Sequence, residues 1–260
     1  MMPDYPTTFW LCAVAAVIIF GIAKAGFGSG IGIVATPLLS LTIPVSDAVA
    51  LLLPLLIITD IFSVNHYRMH FNRRSIKLLL PGALLGIAIG ALFFSSFRGN
   101  ERILRFAIGV LALWFVSFQV FRAMILGALE KRRPRATEGI LMGAISGFTS
   151  TLAHAGGPPV AMYLLPQKLP RDLFVGTTVI YFAVVNLVKL IPYHALGLLR
   201  VENLLTIMIL APLTYVGVRM GIYLNRRFTD LWFNRVVYTI LFLTGVQLVL
   251  GKNMIVMLFG

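Results

Sequence analysis

The chain has 260 residues, of which 59% are hydrophobic and only 12% charged, and its formal net charge is +13. Soluble domains carry roughly 25% charged residues, so charge this sparse excludes a soluble globular surface. The Lys and Arg excess falls between apolar runs, which fits membrane-flanking loops and anionic headgroups; with no basic–aromatic platform, nucleic acid is not an expected partner.

Apolar segments predict helices at 9–24, 27–43, 47–65, 76–97, 103–126, 139–153, 157–166, 173–192, 204–225 and 236–259. At roughly 20 residues per crossing, this gives an all-α membrane protein of eight to ten membrane segments. Asp4 is the only charge before Lys24, so segment 9–24 is expected to belong to the mature protein rather than to a signal peptide. The single Cys12 excludes an intrachain disulfide framework and a cysteine metal cluster, and it is expected to pack as a small hydrophobe. No metal or cofactor is expected.

The first two segments meet at Gly26-Phe-Gly-Ser-Gly-Ile-Gly32. The spacing is loosely that of a dinucleotide fingerprint, but no βαβ unit surrounds it. Either small residues here let helices pack closely, or the chain unwinds and Gly28, Ser29 and Gly30 offer free N–H groups to an anion. Lys24 precedes this break, and Asp60 is the one acid well inside a spanning segment. They are expected either to pair, lowering the cost of burying both, or to reach water separately, with Lys24 snorkelling. Asp60 is also a candidate for proton coupling.

Residues 66–77, 122–138 and 226–235 concentrate Lys and Arg and are expected to be cytoplasmic loops of a cell-membrane protein. Loop 193–203, where Glu202 balances Arg200, is expected outside; the mildly basic 98–102 fits this scheme least well. The chain then divides into an N-terminal repeat at 1–130, a basic linker at 131–138 and a C-terminal repeat at 139–260. Segments 47–65 and 173–192 would run in opposite directions, as in an inverted-topology repeat. Asn72, Pro81, Gly86 and Gly90 recur as Asn203, Pro212, Gly217 and Gly221 at an offset of 131, and Gly26-Phe27 echoes Gly147-Phe148. Inverted repeats, each opening on a broken or re-entrant helix pair, are a signature of alternating-access carriers.

The second break, Gly147 to Pro159, sets two glycines and two prolines in succession inside an apolar run. Broken backbone at membrane depth is tolerated only where protein covers it or where it lines a cavity. Thr149, Ser150 and Thr151 precede the break; their hydroxyls would either donate to an oxyanion or bond back to carbonyls one turn earlier. His154 would either satisfy freed carbonyls or act as anion ligand or proton carrier. Gly156 and Gly157 complete this side of a candidate anion site. Asn186 and Lys189 lie one turn apart on segment 173–192; Lys189 is either a snorkelling anchor or an attractor of negative solute. With no nucleophile elbow, zinc-protease helix or Walker loop present, the chain is not expected to be an enzyme or an ATP-driven pump.

The glycine-rich start followed by Thr36-Pro37-Leu38-Leu39, the stretch Gly147 to Pro159, and then Gly176-Thr177-Thr178, Asn186 and Lys189-Leu190-Ile191-Pro192-Tyr193 resemble the TauE/SafE family of sulfite exporters over nearly the whole chain. Ser29 and Ile31 interrupt the glycine run typical of the family's first half, and Ala155 that of the second. The resemblance implies a multi-pass secondary transporter exporting sulfite, sulfoacetate or related organosulfonates, with the bilayer and possible coupling protons as its other partners. An anion channel or permease of the same fold is the alternative.

Overall fold

A computed structural model describes residues 5–27, 31–129, 134–199, 204–227 and 230–251, and these are helical with short connections. The helices are α1 (Thr7–Ile22), extended by a π-turn at Ala23–Phe27; α2 (Ala35–Leu39), entered through a 3-10 turn at Ile31–Val34; α3 (Val45–Tyr67); α4 (Arg73–Phe97); and α5 (Glu101–Leu129). Then follow α6 (Ala136–Ala153), α7 (Gly157–Leu164) with a 3-10 turn at Leu165–Gln167, α8 (Arg171–Ala195), α9 (Leu204–Arg227) and α10 (Asp230–Leu250). Among the described residues, six stretches are long and apolar enough to cross a membrane: Thr7–Ala25, Val45–Tyr67, Arg73–Phe97, Glu101–Phe121, Arg171–Ala195 and Leu204–Leu224. Every helix coincides with one of the apolar segments expected from the sequence, but α2 and α7 are far too short to span. Eight residues of α7 rise only about 12 Å, against a hydrocarbon core of about 30 Å.

The helix starts follow local chemistry. The Asn72 side chain caps α4 by accepting from the Ser75 amide at 3.1 Å, and Glu138 reaches back to the Arg135 amide at 3.3 Å, as capping requires. Pro44 and Pro170 introduce α3 and α8 with nearly the same extended backbone, at φ −55°, ψ 147° and φ −50°, ψ 146°. Pro54, Pro81, Pro192 and Pro212 lie inside long helices, where packed neighbours in a membrane protein can compensate the lost N–H.

Cross-contacts give the helix directions. Along the α4–α6 seam Gly82 faces Ile140 and Ala144, Gly86 faces Ala144 and Phe148, and Gly90 faces Phe148 and Thr151, so the two helices run parallel. Between α3 and α8, Asn186 meets Asp60 while Thr177 meets Asn72; these helices are antiparallel. The pair α5 and α10 is antiparallel as well, with Gly109 against Val249 and Leu113 against Gly245. Residues 66–77, the start of α6 and the α9–α10 junction therefore lie at one end of the molecule. The mildly basic 98–102 lies at the other, where Glu101 accepts from the Val45 amide at 2.9 Å and Arg98 donates to the Leu196 carbonyl.

Both broken pairs are hairpins. Tyr163, near the end of α7, packs on Gly139 at the start of α6, and Ser75 at the start of α4 donates to Gln167 at 3.0 Å. The chain thus enters along α6 and returns along α7 to the same end. In the first hairpin, Leu39 and Ile43 cluster with Phe9 and Ala13, back at the beginning of α1. The hairpins enter from opposite ends and meet near their tips, where Ile22, Ala23, Ile33 and Val34 share one apolar cluster with Leu152, Ala153 and Ala155.

The α4–α6 seam is as close as backbone permits. A Cβ on Gly82 or Gly86 would collide with the Ile140 or Ala144 carbonyl oxygen, and one on Gly143 or Gly147 with the Leu79 or Ala83 carbonyl oxygen. Small residues at such seams let helices associate without a hydrophobic driving force. Gly86→Val is therefore expected to destabilise the protein by at least about 1–3 kcal/mol, the cost of overpacking, read as a lowered unfolding temperature in detergent. An unchanged unfolding temperature would mean that the seam is looser than described here.

Candidate functional site

The polar centre lies beside the meeting hairpins. α6 ends in a left-handed residue, His154, at φ 53° and ψ 29°. The His154 amide returns to the Ser150 carbonyl at 3.0 Å, the bond of an αL close, and the Ala155 amide reaches one residue further back, to the Thr149 carbonyl at 3.2 Å. Glycine or asparagine is the usual residue at that position. Histidine is strained there at a cost of about 1–2 kcal/mol, and what offsets this is its ring. Nε2 lies 2.9 Å from the Val49 carbonyl oxygen and Nδ1 lies 2.9 Å from Lys189 Nζ.

Lys189 is completely buried. Its Nζ has three partners: the Ser150 carbonyl at 3.1 Å, the Ser150 hydroxyl at 3.0 Å and His154 Nδ1. A snorkelling anchor would reach the interface; this side chain turns inward to the break. Lys24, from the π-turn, and Asp60, from α3, do pair, at 2.5 Å. Asp60 accepts a second bond on its other oxygen from the Asn186 amide nitrogen at 2.7 Å. One carboxylate thus ties the first hairpin to α3 and to α8.

These residues surround a cavity of about 50 Å³ lined by Lys24, Ser150, His154, Gly157 and Asn186 with Phe20, Leu56, Thr178, Val179 and Phe182. One water needs roughly 10–15 Å³ by this kind of measure, so the space suits a few waters or a small anion. Lys189 stands directly behind the Ser150–His154 wall. Of the residues singled out by sequence, Ser150, His154, Gly157 and Asn186 line the cavity. Asp60 and Lys189 are bonded to its lining, and Gly156 accepts from Ser146 at 2.7 Å. Gly28, Ser29 and Gly30 lie outside the described residues. Thr149 and Thr151 take the structural alternative, donating to the Ile145 carbonyl at 2.9 Å and the Gly147 carbonyl at 2.9 Å; only Ser150 of the three turns its hydroxyl to the site.

The main chain contributes less than the sequence suggests. Pro158 and Pro159 occupy the first turn of α7, and proline has no N–H. Side chains carry the polarity instead. Sequence reasoning missed Phe20, Leu56, Val179 and Phe182, since apolar residues in an apolar run carry no distinguishing mark. It also missed the Val49 carbonyl, which no side-chain pattern announces.

One pair of hydrogen bonds is repeated. Tyr67 donates to the Ala25 carbonyl at 3.0 Å and Tyr193 to the Thr151 carbonyl at 2.7 Å, each across 42 residues of chain. Both bonds are related by the offset that separates Asp60 from Asn186, 126 residues. The same offset relates Gly21 to Gly147, each packed on a neighbouring helix backbone. The echo of Gly26-Phe27 in Gly147-Phe148 stands at a different offset.

A family model described as Sulfite exporter TauE/SafE matches residues 13–248. No curated protein and no solved structure matches the chain.

Removing Lys24 alone would leave Asp60 buried without its cation. Lys24→Met is expected to cost about 3–5 kcal/mol, and the double variant with Asp60→Asn to recover most of it. The check is a double-mutant cycle of unfolding temperatures in detergent. Additive effects would show that the pair is not coupled.

Proposed function

Because the chain belongs to the TauE/SafE sulfite exporter family, and as such to a family of transporters with several membrane-spanning helices, we propose that it is a secondary carrier for small sulfur oxyanions or organosulfonates, working by alternating access at the cavity between the two hairpins. The observation that carries this is the charge at that cavity. Two lysines and one carboxylate are gathered there among the described residues, so Lys24 is compensated by Asp60 while Lys189 has no acidic contact. A cation at Lys189 would be costly at membrane depth without a counter-charge, and an anion in the cavity would supply one. Lys24, Ser150 and Asn186 would donate to the oxyanion, Gly157 and the α7 dipole would add to the field, and Phe20, Leu56 and Phe182 would exclude water.

Two inverted halves, 1–130 and 139–260 with a linker at 131–138, are supported by several features. Corresponding helices α3 and α8 are antiparallel, as are α5 and α10. α4 packs on α6 as α9 packs on α1, an arrangement unchanged when the halves are exchanged. The two tyrosine bonds fit the same exchange. The end bearing 66–77 and the α9–α10 junction would face the cytoplasm of a cell membrane, following the positive-inside rule. A carrier is favoured over a channel because residues flanking the two breaks, Ile22, Ala23, Ile33 and Val34 against Leu152, Ala153 and Ala155, share one apolar cluster, which would oppose a continuous water-filled pore there.

The test is saturable sulfite flux in vesicles containing the purified protein. Lys189→Gln is expected to weaken the apparent affinity at least about tenfold, the effect of ~1.4 kcal/mol. Flux that never saturates, or unitary currents, would replace the carrier with a channel. Wild-type affinity in Lys189→Gln would remove the buried lysine from the anion site.

A further inference from the structure

We propose that Lys189 is the proton carrier of this protein: its amine is neutral while the cavity is empty and takes up one proton as an anion enters, so that anion and proton move together. This deepens the anion-site assignment above and rests on it.

The hydrogen bonds assign the protons. The Val49 carbonyl can only accept, so His154 Nε2, 2.9 Å away, bears the ring hydrogen, and the lone pair on Nδ1 points at Lys189. His154 is thereby held as one neutral tautomer. A second proton on Nδ1 would meet a Lys189 N–H head on, so the histidine is a fixed acceptor and not the carrier. Asp60 is committed as well. Its two oxygens receive Lys24 at 2.5 Å and Asn186 at 2.7 Å, and protonating it would strand Lys24 in the membrane interior.

Lys189 is satisfied in both of its states. As an ammonium it has three hydrogens for three acceptors: the Ser150 carbonyl, the Ser150 hydroxyl oxygen and His154 Nδ1. As an amine it keeps two hydrogens for the carbonyl and the imidazole, and its lone pair accepts the Ser150 hydroxyl hydrogen. Only that hydroxyl must rotate, since Ser can donate or accept. On protonation a proton from bulk water forms the new N–H bond at Nζ, the Ser150 O–H turns away, and no other bond changes.

The surroundings set which state goes with which occupancy. The charged or titratable groups facing Lys189 are Lys24 from the π-turn, Asp60 from α3, His154 from α6 and Tyr193 one turn along α8, whose hydroxyl is committed to the Thr151 carbonyl at 2.7 Å. α4 beyond Lys77 and α7 carry no carboxyl, amine, guanidinium or imidazole group. With the amine neutral, the Lys24–Asp60 pair leaves the empty site without net charge, the cheapest condition in a low-dielectric interior. An arriving monoanion unbalances it by one charge, and a proton on Lys189 restores the balance. A monoanion would then cross without net charge movement.

The experiment counts protons. The full-length protein in detergent is titrated with methanesulfonate, thiosulfate and sulfate, whose own charges are fixed near neutral pH, by calorimetry in two buffers of different ionisation enthalpy. The wild type is expected to take up about one proton per anion bound, and Lys189→Arg, whose charge is permanent, to bind with no uptake. Wild-type binding without proton uptake would overturn the proposal, and that measurement decides even if the arginine variant does not fold. An unchanged proton count in Lys189→Arg would overturn it too. If none of the three anions binds the wild type, the anion site itself falls.

Discussion

A single carboxylate organises the centre of this protein. Asp60 receives Lys24 from the first hairpin on one oxygen and Asn186 from α8 on the other. A charge taken out of water is tolerable only when its lone pairs are engaged and its partner is close. Meeting that condition brings together the π-turn, α3 and α8, three elements remote in sequence. The cavity is what remains between them once the hairpin tips have met.

The second constraint is steric. α4 and α6 approach until glycine Cα atoms lie against carbonyl oxygens. This seam aligns α6 along its length, so the position of its C-terminal close at His154 is set by backbone contact with α4. The glycines and the buried ionic groups therefore act on the same object. One places the end of α6, and the other makes that end chemically useful.

Much of this was legible in the sequence. The ten helices follow from apolar runs, and the breaks follow from glycine and proline crowding, because those residues act through local backbone physics. The Lys24–Asp60 pair was legible as an alternative, since two opposite charges in lipid have few other solutions. What the sequence concealed is three-dimensional. Lys189 near a helix end has the pattern of an anchor, and only the packing of α8 against α3 and α4 turns it inward. At the second break Pro158 and Pro159 remove two of the N–H groups that the start of α7 would otherwise offer. The recurrence of the Tyr67 and Tyr193 bonds was concealed too, because a tyrosine in an apolar run does not announce which carbonyl its hydroxyl will reach.

The prolines at the head of α7 have one more implication. A site made from amide nitrogens has its preferences written into the path of the chain, and altering them means rebuilding the loop. Here the groups that line the cavity are mostly side chains on a frame secured elsewhere, by the glycine seam and the tyrosine clamps. If the cavity is the proposed anion site, single substitutions at Phe20, Ser150, Thr178 or Phe182 would shift its selectivity while the architecture stays put, so that close cousins of one shape would come to serve different solutes.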